Sequence, residues 1–319
     1  MISPALLALA YALDWLIGDP VWFPHPVRWM GQMISVGERL LRTIARKPAT
    51  ELLAGLVLTL LVVTTFGIGS WILLLWLRGW KPTLAFVVSG YLAASTLATR
   101  SLLDEACAVR RFLVNGDLVS ARQQVSHIVG RDTLELDEAG VIRASIETLA
   151  ESASDGIVAP MFYLMIGGVP AALAYKGVNT LDSMIGHRGK PYEFFGKCAA
   201  RLDDVASFVP ARLTALLFVP VAWTLHLDWH GAWRISRRDG AKHKSPNAGH
   251  PEAAMAGALG IRLGGTNFYD GERHDGQHLG DAQTPLDHQA LRNALRLTAC
   301  VSLVMFALCL SLRLVASRW

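Results

Sequence analysis

Residues 52–77 (LLAGLVLTLLVVTTFGIGSWILLLWL) run for 26 positions without a charged side chain. Roughly 20 apolar residues in a helix suffice to cross the hydrocarbon core of a bilayer. Inside that core the backbone polar groups find no water, so the segment must satisfy them within its own helix. A chain carrying this run is an integral membrane protein. The composition agrees: 52% of the 319 residues are hydrophobic and 18% charged, against about 25% charged in soluble domains, and the mean hydropathy is +0.34.

Further apolar runs stand near residues 3–17, 83–99, 157–175, 205–225 and 297–312. Together they predict an all-α, polytopic membrane protein with about 4–5 apolar spans and amphipathic helical loops, in a single membrane-embedded domain covering 1–319. Pro160, Gly167, Gly168 and Pro170 fall inside 157–175 and favour a broken or re-entrant segment there. The N-terminal run lacks a basic flank and is interrupted by Asp14, so it reads as a retained helix, not a signal peptide. Trp71, Trp76 and Trp80 mark an interface at the far end of 52–77, and the basic flank before residue 52 predicts a cytoplasmic start. The hairpin of two spans then returns 100–155, polar and helix-patterned, to the cytoplasm. The stretches 176–204 and 229–296 read as polar loops.

The net charge of +4 is spread over several loops, not gathered into the stripe that nucleic-acid binding needs. Cys107, Cys198, Cys300 and Cys309 form no CxxC pair and are expected to be buried thiols. His274 and His278 lack a third obvious ligand for a metal site.

Five stretches carry charge or chemistry beside the apolar runs. In GDPVWFPHPVRWMG (18–31) prolines set Asp19, His25 and Arg28 into a rigid polar rim, or into a plain interfacial turn. In IETLAESASDGIVAP (146–160), Glu147, Glu151 and Asp155 stand at i, i+4 and i+8. A helix would stack these carboxylates on one face, where they repel unless a cation or a cationic substrate group sits among them.

In AYKGVNTLDSMIGHRGKPY (174–192), Asn179 and Asp182 offer oxygen ligands suited to magnesium, surrounded by Lys176, His187, Arg188 and Lys190. Metal on the carboxylates and phosphate on the cations is the pairing a magnesium-bound phosphate requires. No GxxxxGK[ST] loop occurs. In ARLDDVASFVPARL (200–213), Asp203 and Asp204 precede an apolar run that contains Arg212. Ionised groups at such depth are either functional or paired with each other. In RRDGAKHKSPNAGHPEAAMAGALGIRLGG (237–265), Lys242, His243, Lys244, Asn247 and His250 approach a helix start near Pro251, where free N–H groups favour an anion.

Taken together, GDP…PHPVRWMG, ESASDGIVAPMFY, YKGVNTLDSMIGHR, FGKCAARLDDVASFVPARLTA and KSPNAGHPEAAMAGALGIRLGG resemble the adenosylcobinamide-phosphate synthase family (CobD/CbiB) of cobalamin biosynthesis, over about residues 10–265. One departure is visible: Glu151-Ser152 stands where that motif is expected to read Glu-Asn. The resemblance implies an inner-membrane, multi-pass ligase with its active face toward the cytoplasm. It would join (R)-1-amino-2-propanol or its O-phosphate to the free propionate of adenosylcobyric acid, a corrinoid, using ATP and Mg2+. Association with membrane lipid and with other late cobalamin-pathway enzymes would follow.

On that reading, Glu151, Asp155, Asp203, Asp204 and His250 are the catalytic candidates, and Asp182, Asp203 and Asp204 the magnesium candidates. Asp19, His25, Arg28, Lys176, Asn179, Arg188, Lys190, Arg212, Lys242, Lys244 and Asn247 are the candidates for binding substrate or phosphate. Two other classes fit the same spans: a non-catalytic membrane sensor, which would have lost the charged clusters, and a corrinoid or amine transporter.

Overall fold

Four of the first helices begin on a proline, at Pro4, Pro26, Pro48 and Pro82. Proline is favoured there because the first-turn N–H has no intrahelical acceptor to lose and its φ is already helical. A computed structural model describes residues 2–20, 22, 24–187, 189, 191–269 and 271–317. Internal contacts divide the chain into two compact units, one formed by residues 1–98, 159–207 and 308–319, the other by 99–158 and 208–307.

The first unit contains α1 (Pro4–Ile17), α2 (Pro26–Ile44), α3 (Pro48–Trp80), α4 (Pro82–Ala94), α8 (Ala159–Ile185) and α9 (Lys197–Ala206). Helix α3 buries a stripe of mostly small residues, including Ala54, Gly55, Leu58, Thr59 and Val62. Its other faces expose Leu53, Leu60, Ile68, Trp71 and Trp76. An apolar exposed surface of that extent is suited to lipid, not water. The buried stripe meets α8 and α9 in a core of Ile34, Leu58, Val62, Leu181, Ile185 and Phe195. Gly55 permits this approach, since a Cβ there would stand 1.7 Å from the Phe195 carbonyl oxygen.

Helix α8 runs on to Ile185 and α9 starts at Lys197, so more than half of the expected 176–204 loop is helical. The reason is packing: Tyr175, Val178, Leu181 and Ile185 keep one buried face through the polar sequence. Within it, Gly168 (φ 68°) and Pro170 make the break that the sequence predicted.

The second unit holds α5 (Thr99–Val114), α6 (Leu118–Ser126), α7 (Glu138–Ala153) and a π-turn (Ser154–Val158). It continues with α10 (Phe208–Thr224), α11 (Trp229–Asp239), α12 (Gly249–Leu259) and most of α13 (His288–Ala316). Asp137 and Asp228 cap α7 and α11 by accepting from Gly140 N and Gly231 N, each at 2.7 Å. Helices α11 and α12 cross at a pair of glycines; a Cβ on Gly257 would lie 2.2 Å from the Gly231 oxygen.

The 229–296 stretch is therefore not a loop. Besides α11 and the almost wholly buried α12 it holds an antiparallel hairpin of β1 (Leu263–Tyr269) and β2 (Glu272–Leu279), the one sheet among the described residues. Four helices are long and apolar enough to cross a membrane, or five if the pair interrupted at Ser207 counts as one. This is a multi-pass membrane protein, helical apart from the hairpin. All four cysteines are free, but contrary to expectation only Cys309 is buried; Cys198 and Cys300 are half-buried and Cys107 is exposed. Helix α5 is amphipathic and turns Leu102, Ala106, Val109 and Leu113 inward, which leaves position 107 outside.

Candidate functional site

In the second unit, a cavity of about 290 Å³ opens between α7, the 128–131 segment, the turn before α12 and the hairpin. Its lining includes Arg131, Glu147, Glu151, His243, Lys244 and Glu252. Glu147 is buried and ion-paired to Arg131. Its other oxygen accepts from Gly264 N at 2.7 Å. Arg131 Nη1 donates onward to Asn267 Oδ1 at 2.7 Å, and Arg143 Nη1 to the Gly264 carbonyl at 2.7 Å. The hairpin is thus tied to α7 at the cavity's edge. Gly264 (φ 76°) and Gly265 (φ 90°) form the irregular step in the strand register that makes this possible.

Glu252 is different. It is 5% exposed; its backbone N donates to Ala248 O at 3.2 Å, and His243 Nε2 stands 4.0 Å from its side-chain Oε1. Burial, followed by the charges of Glu147 and Glu151, pushes its carboxyl well above the usual glutamate range. His243 Nδ1 accepts from Ser245 N at 3.1 Å, which leaves Nε2 as the protonated nitrogen of the neutral ring. Glu151 and Lys244 are exposed at the cavity mouth.

Asp155 does not share the Glu147–Glu151 face as the sequence predicted. Helix α7 ends at Ala153, and Asp155 falls in the π-turn and off the cavity lining. The wider turn of a π-helix rotates every residue that enters it away from the α-helical stripe.

A second cluster in the same unit joins Arg212, Asn247 and His250. Arg212 Nη1 donates to Phe208 O (2.8 Å) and to Asn247 Oδ1 (3.3 Å), and Nη2 to Pro246 O (3.5 Å). Its guanidinium lies 3.4 Å from the Phe208 ring centroid. Ser245 Oγ accepts from Asn247 N and Ala248 N, shaping the turn that begins α12. His250 is held below its usual range by burial and then by Arg212. Lys242 goes elsewhere, to the buried Asp239 at 2.6 Å. Asp239 also receives Arg238 on both oxygens (2.8 and 2.7 Å) and Gly280 N (2.9 Å). These bonds outweigh its burial and hold Asp239 far below the usual carboxylate range.

In the first unit, Asp19 pairs with His25 at 2.9 Å and Arg28 Nη2 donates to Pro20 O at 2.7 Å, closing the proline-rich rim on itself. Lys176, Asn179 and Asp182 lie half-buried on α8. Asp203 is buried and accepts from Ser207 Oγ at 3.2 Å, beside a stacked Tyr163–Tyr175 pair. Asp204 instead lines an open cavity of about 600 Å³ with Gly186, His187, Tyr192, Glu193, Lys197 and Arg201. Gly186 leaves room for the Asp182 carboxylate, because a Cβ there would stand 2.0 Å from Asp182 Oδ1. Arg188 and Lys190 lie outside the described residues. Among the described residues no three His, Cys, Asp or Glu side chains are gathered for a metal ion.

The reading of the sequence passed over Arg131, Asn267, Lys197 and Arg201, and gave Glu252 no role. One signal was available for the first two. In the sequence, the dipeptide Asp270-Gly271 between residues of alternating character is a hairpin-turn signal, and a hairpin after a helix start would have directed attention to what it covers.

A family model described as CobD/Cbib protein matches residues 7–298. Cobalamin biosynthesis protein CobD of Pelobacter propionicus is 46% identical over 310 residues, 97% of this chain and 95% of that one. The CobD of Geobacter metallireducens is 47% identical over 293 residues, 92% of this chain and 91% of that one. Cobalamin biosynthesis protein CbiB of Salmonella typhimurium is 42% identical over 306 residues, 96% of each chain. No solved structure matches.

Proposed function

The chain belongs to the CobD/CbiB family, and on that premise we propose that it is the cobalamin-biosynthesis ligase of the late pathway. Its reaction joins (R)-1-amino-2-propanol or its O-phosphate to the free propionate of adenosylcobyric acid, giving adenosylcobinamide or its phosphate at the expense of ATP. The enzyme sits in the inner membrane with its active face toward the cytoplasm.

A carboxylate is a poor electrophile, so amide formation needs the propionate activated first. The propionate oxygen attacks the γ-phosphorus of ATP, ADP departs with the bonding electron pair, and an acyl phosphate results. The amine nitrogen then attacks the acyl carbon, phosphate leaves, and the ammonium proton passes to a base. The observation that supports this chemistry most is the 600 Å³ cavity, where Asp204 stands with Lys197, Arg201 and His187. Both signs of charge on one rim suit a metal-bound polyphosphate.

The donor set fits Mg2+, which takes one or two carboxylates and completes its shell with phosphate oxygens and water. Asp182, which Gly186 leaves room for, and Asp204 would hold it. When bound, Mg2+ offsets the charge that gathers on the transferred phosphoryl oxygens. Lys197 and Arg201 orient the phosphates, with Lys176, Arg188 and Lys190 as further candidates. Asp203, held by Ser207, fixes the end of α9 that presents Asp204. Arg212, anchored on Asn247 and the Pro246 carbonyl, is a separate candidate for binding an anion in the second unit.

The test is a mass measurement on adenosylcobyric acid incubated with the purified full-length protein, ATP, Mg2+ and each amine in turn. The expected product has the summed mass of acid and amine less one water, with one ADP per product. Unchanged acid in the presence of folded protein refutes the reading.

A further inference from the structure

Helix α2 carries an apolar stripe that the rest of its unit leaves exposed. Trp29, Val36, Leu40 and Ile44 fall on one face of the helix. All four are exposed, Leu40 at 64% and Ile44 at 76%. A neighbouring arc of the same helix, with Met30 and Ile34, is buried in the unit's core. Helix α2 is not one of the helices long and apolar enough to cross a membrane. Its exposed stripe therefore does not belong to a span, and an apolar surface of this kind marks a contact.

Three observations make the occupant a lipid surface with anionic headgroups. The stripe ends at Ile44, and the chain enters α3 at Pro48, where exposed Leu52 and Leu53 begin the apolar surface of a span. Arg39, Arg46 and Lys47 border the end of the stripe, all exposed, and none forms an ion pair among the described residues. Glu38 is the one acid in residues 26–47, and it is paired with Arg42 at 2.8 Å. An apolar face flanked by uncompensated positive charge is the pattern of a helix lying in the headgroup plane. A second copy fits less well. A two-fold contact sets identical stripes against each other and brings these cations together with no acid to answer them.

We infer that α2 is an interfacial anchor. Its stripe from Trp29 to Ile44 enters the boundary between headgroups and acyl chains in the leaflet at the start of α3, and Arg39, Arg46 and Lys47 bind anionic phospholipid headgroups there. The other side of the same helix holds the wall of the 600 Å³ cavity. Arg42 Nη2 donates to Pro191 O at 3.1 Å. Its guanidinium lies 5.0 Å from the ring centroid of Tyr192 and 4.5 Å from that of Phe195, and Tyr192 lines the cavity. The anchor therefore keeps the cavity wall beside the lipid surface, whatever reaction the cavity serves.

The test uses the full chain in nanodiscs of equal phosphatidylcholine and phosphatidylglycerol. A photoreactive benzophenone side chain replaces Leu40 or Ile44, or, as the control, Ser35, which is exposed on the polar side of α2. After illumination the adducts are read by intact mass, since a phospholipid adds its own mass and a second copy doubles that of the protein. The positions of Leu40 and Ile44 are expected to capture lipid at least about 5-fold more often than that of Ser35. Phosphatidylglycerol should be captured about 5-fold or more over phosphatidylcholine, the effect of one basic residue beside an anionic surface. The triple variant Arg39→Gln, Arg46→Gln, Lys47→Gln should bring the two lipids within about 2-fold while lipid capture itself persists. Capture at Leu40 and Ile44 no more frequent than at Ser35, or protein–protein adducts in its place, overturns the inference. Equal capture of the two lipids by the chain with its three cations intact also overturns it, and that result does not depend on the triple variant folding.

Discussion

Replacing Arg131 by methionine removes the cation that the buried Glu147 relies on while keeping most of the side-chain volume. Both partners are close to fully buried, at 10% and 8% side-chain exposure, so solvent screening takes little from the interaction. Breaking a buried pair from one side costs about 3–5 kcal/mol, largely because a charge is left uncompensated. Glu147 keeps its bond from Gly264 N, which argues for the low end, about 3 kcal/mol. For a unit of this size each kcal/mol moves the midpoint by about 2–4 °C, so the second unit should melt roughly 6–12 °C lower. The loss should also be local. Arg131 holds Asn267, so backbone amides of 263–279 should exchange faster in Arg131→Met than those of α10 or α11.

The assay is a thermal melt in detergent with hydrogen exchange read by mass spectrometry. The double variant Arg131→Met with Glu147→Gln removes both charges and lets the amide oxygen keep the Gly264 bond. It should recover at least half the lost stability. A midpoint within about 1 °C of the parent for Arg131→Met, or a double variant no better than the single one, would falsify the argument that this pair fastens the hairpin.

Other outcomes follow from the same geometry. Glu252 has a folded pKa raised above its unfolded value, so its stabilising contribution is complete below the ordinary glutamate range and is lost as pH rises through the folded value. Glu252→Gln should therefore flatten the alkaline decline of ligand-free stability, and an unchanged slope in denaturant melts across pH 5–8 refutes this. Asp239 is the opposite case. Its depressed pKa gives stability that is present above about pH 4 and lost as pH falls through the folded value. Asp239→Asn should lose about 1.5–3 kcal/mol at neutral pH together with most of the acid-side slope in urea melts. Gly257→Ala drives a methyl into the Gly231 carbonyl and should cost about 3 kcal/mol or more. Gly69→Ala, with nothing within 4 Å, should be neutral or slightly stabilising by the same measurement. Asp204→Asn should keep the parent melting point and lose at least about 10-fold in turnover, whereas Asp203→Asn should lower the melting point.

Legibility in the sequence followed the range of the forces involved. Charge pairs close in sequence but carried by different elements were not readable. Lys242 was expected to meet phosphate; in the structure it pairs with Asp239, three residues earlier, a buried carboxylate also bonded by Gly280 N and Arg238. Asp155 was expected to continue the Glu147–Glu151 face, and a single π-turn moved it off. Glu252 looked like an ordinary first-turn acid, because nothing in its neighbourhood of sequence shows that α12 is buried on every side.

The sequence by itself determined the membrane class, the predominance of helix and the break at Gly168 and Pro170. Those properties depend on length, hydropathy and proline or glycine within a few residues, and they hold whatever the chain packs against. Its motifs also determined the family, since identity is a property of the string. Only the tertiary structure decided which carboxylate is fastened by an arginine and a strand amide. Glu147 and Glu252 are separated by more than a hundred residues and line the same cavity, yet one meets an arginine and a strand amide while the other stands 4.0 Å from His243. Burial and partnership are set by elements distant in the chain, and those two quantities make Glu147 a structural tie.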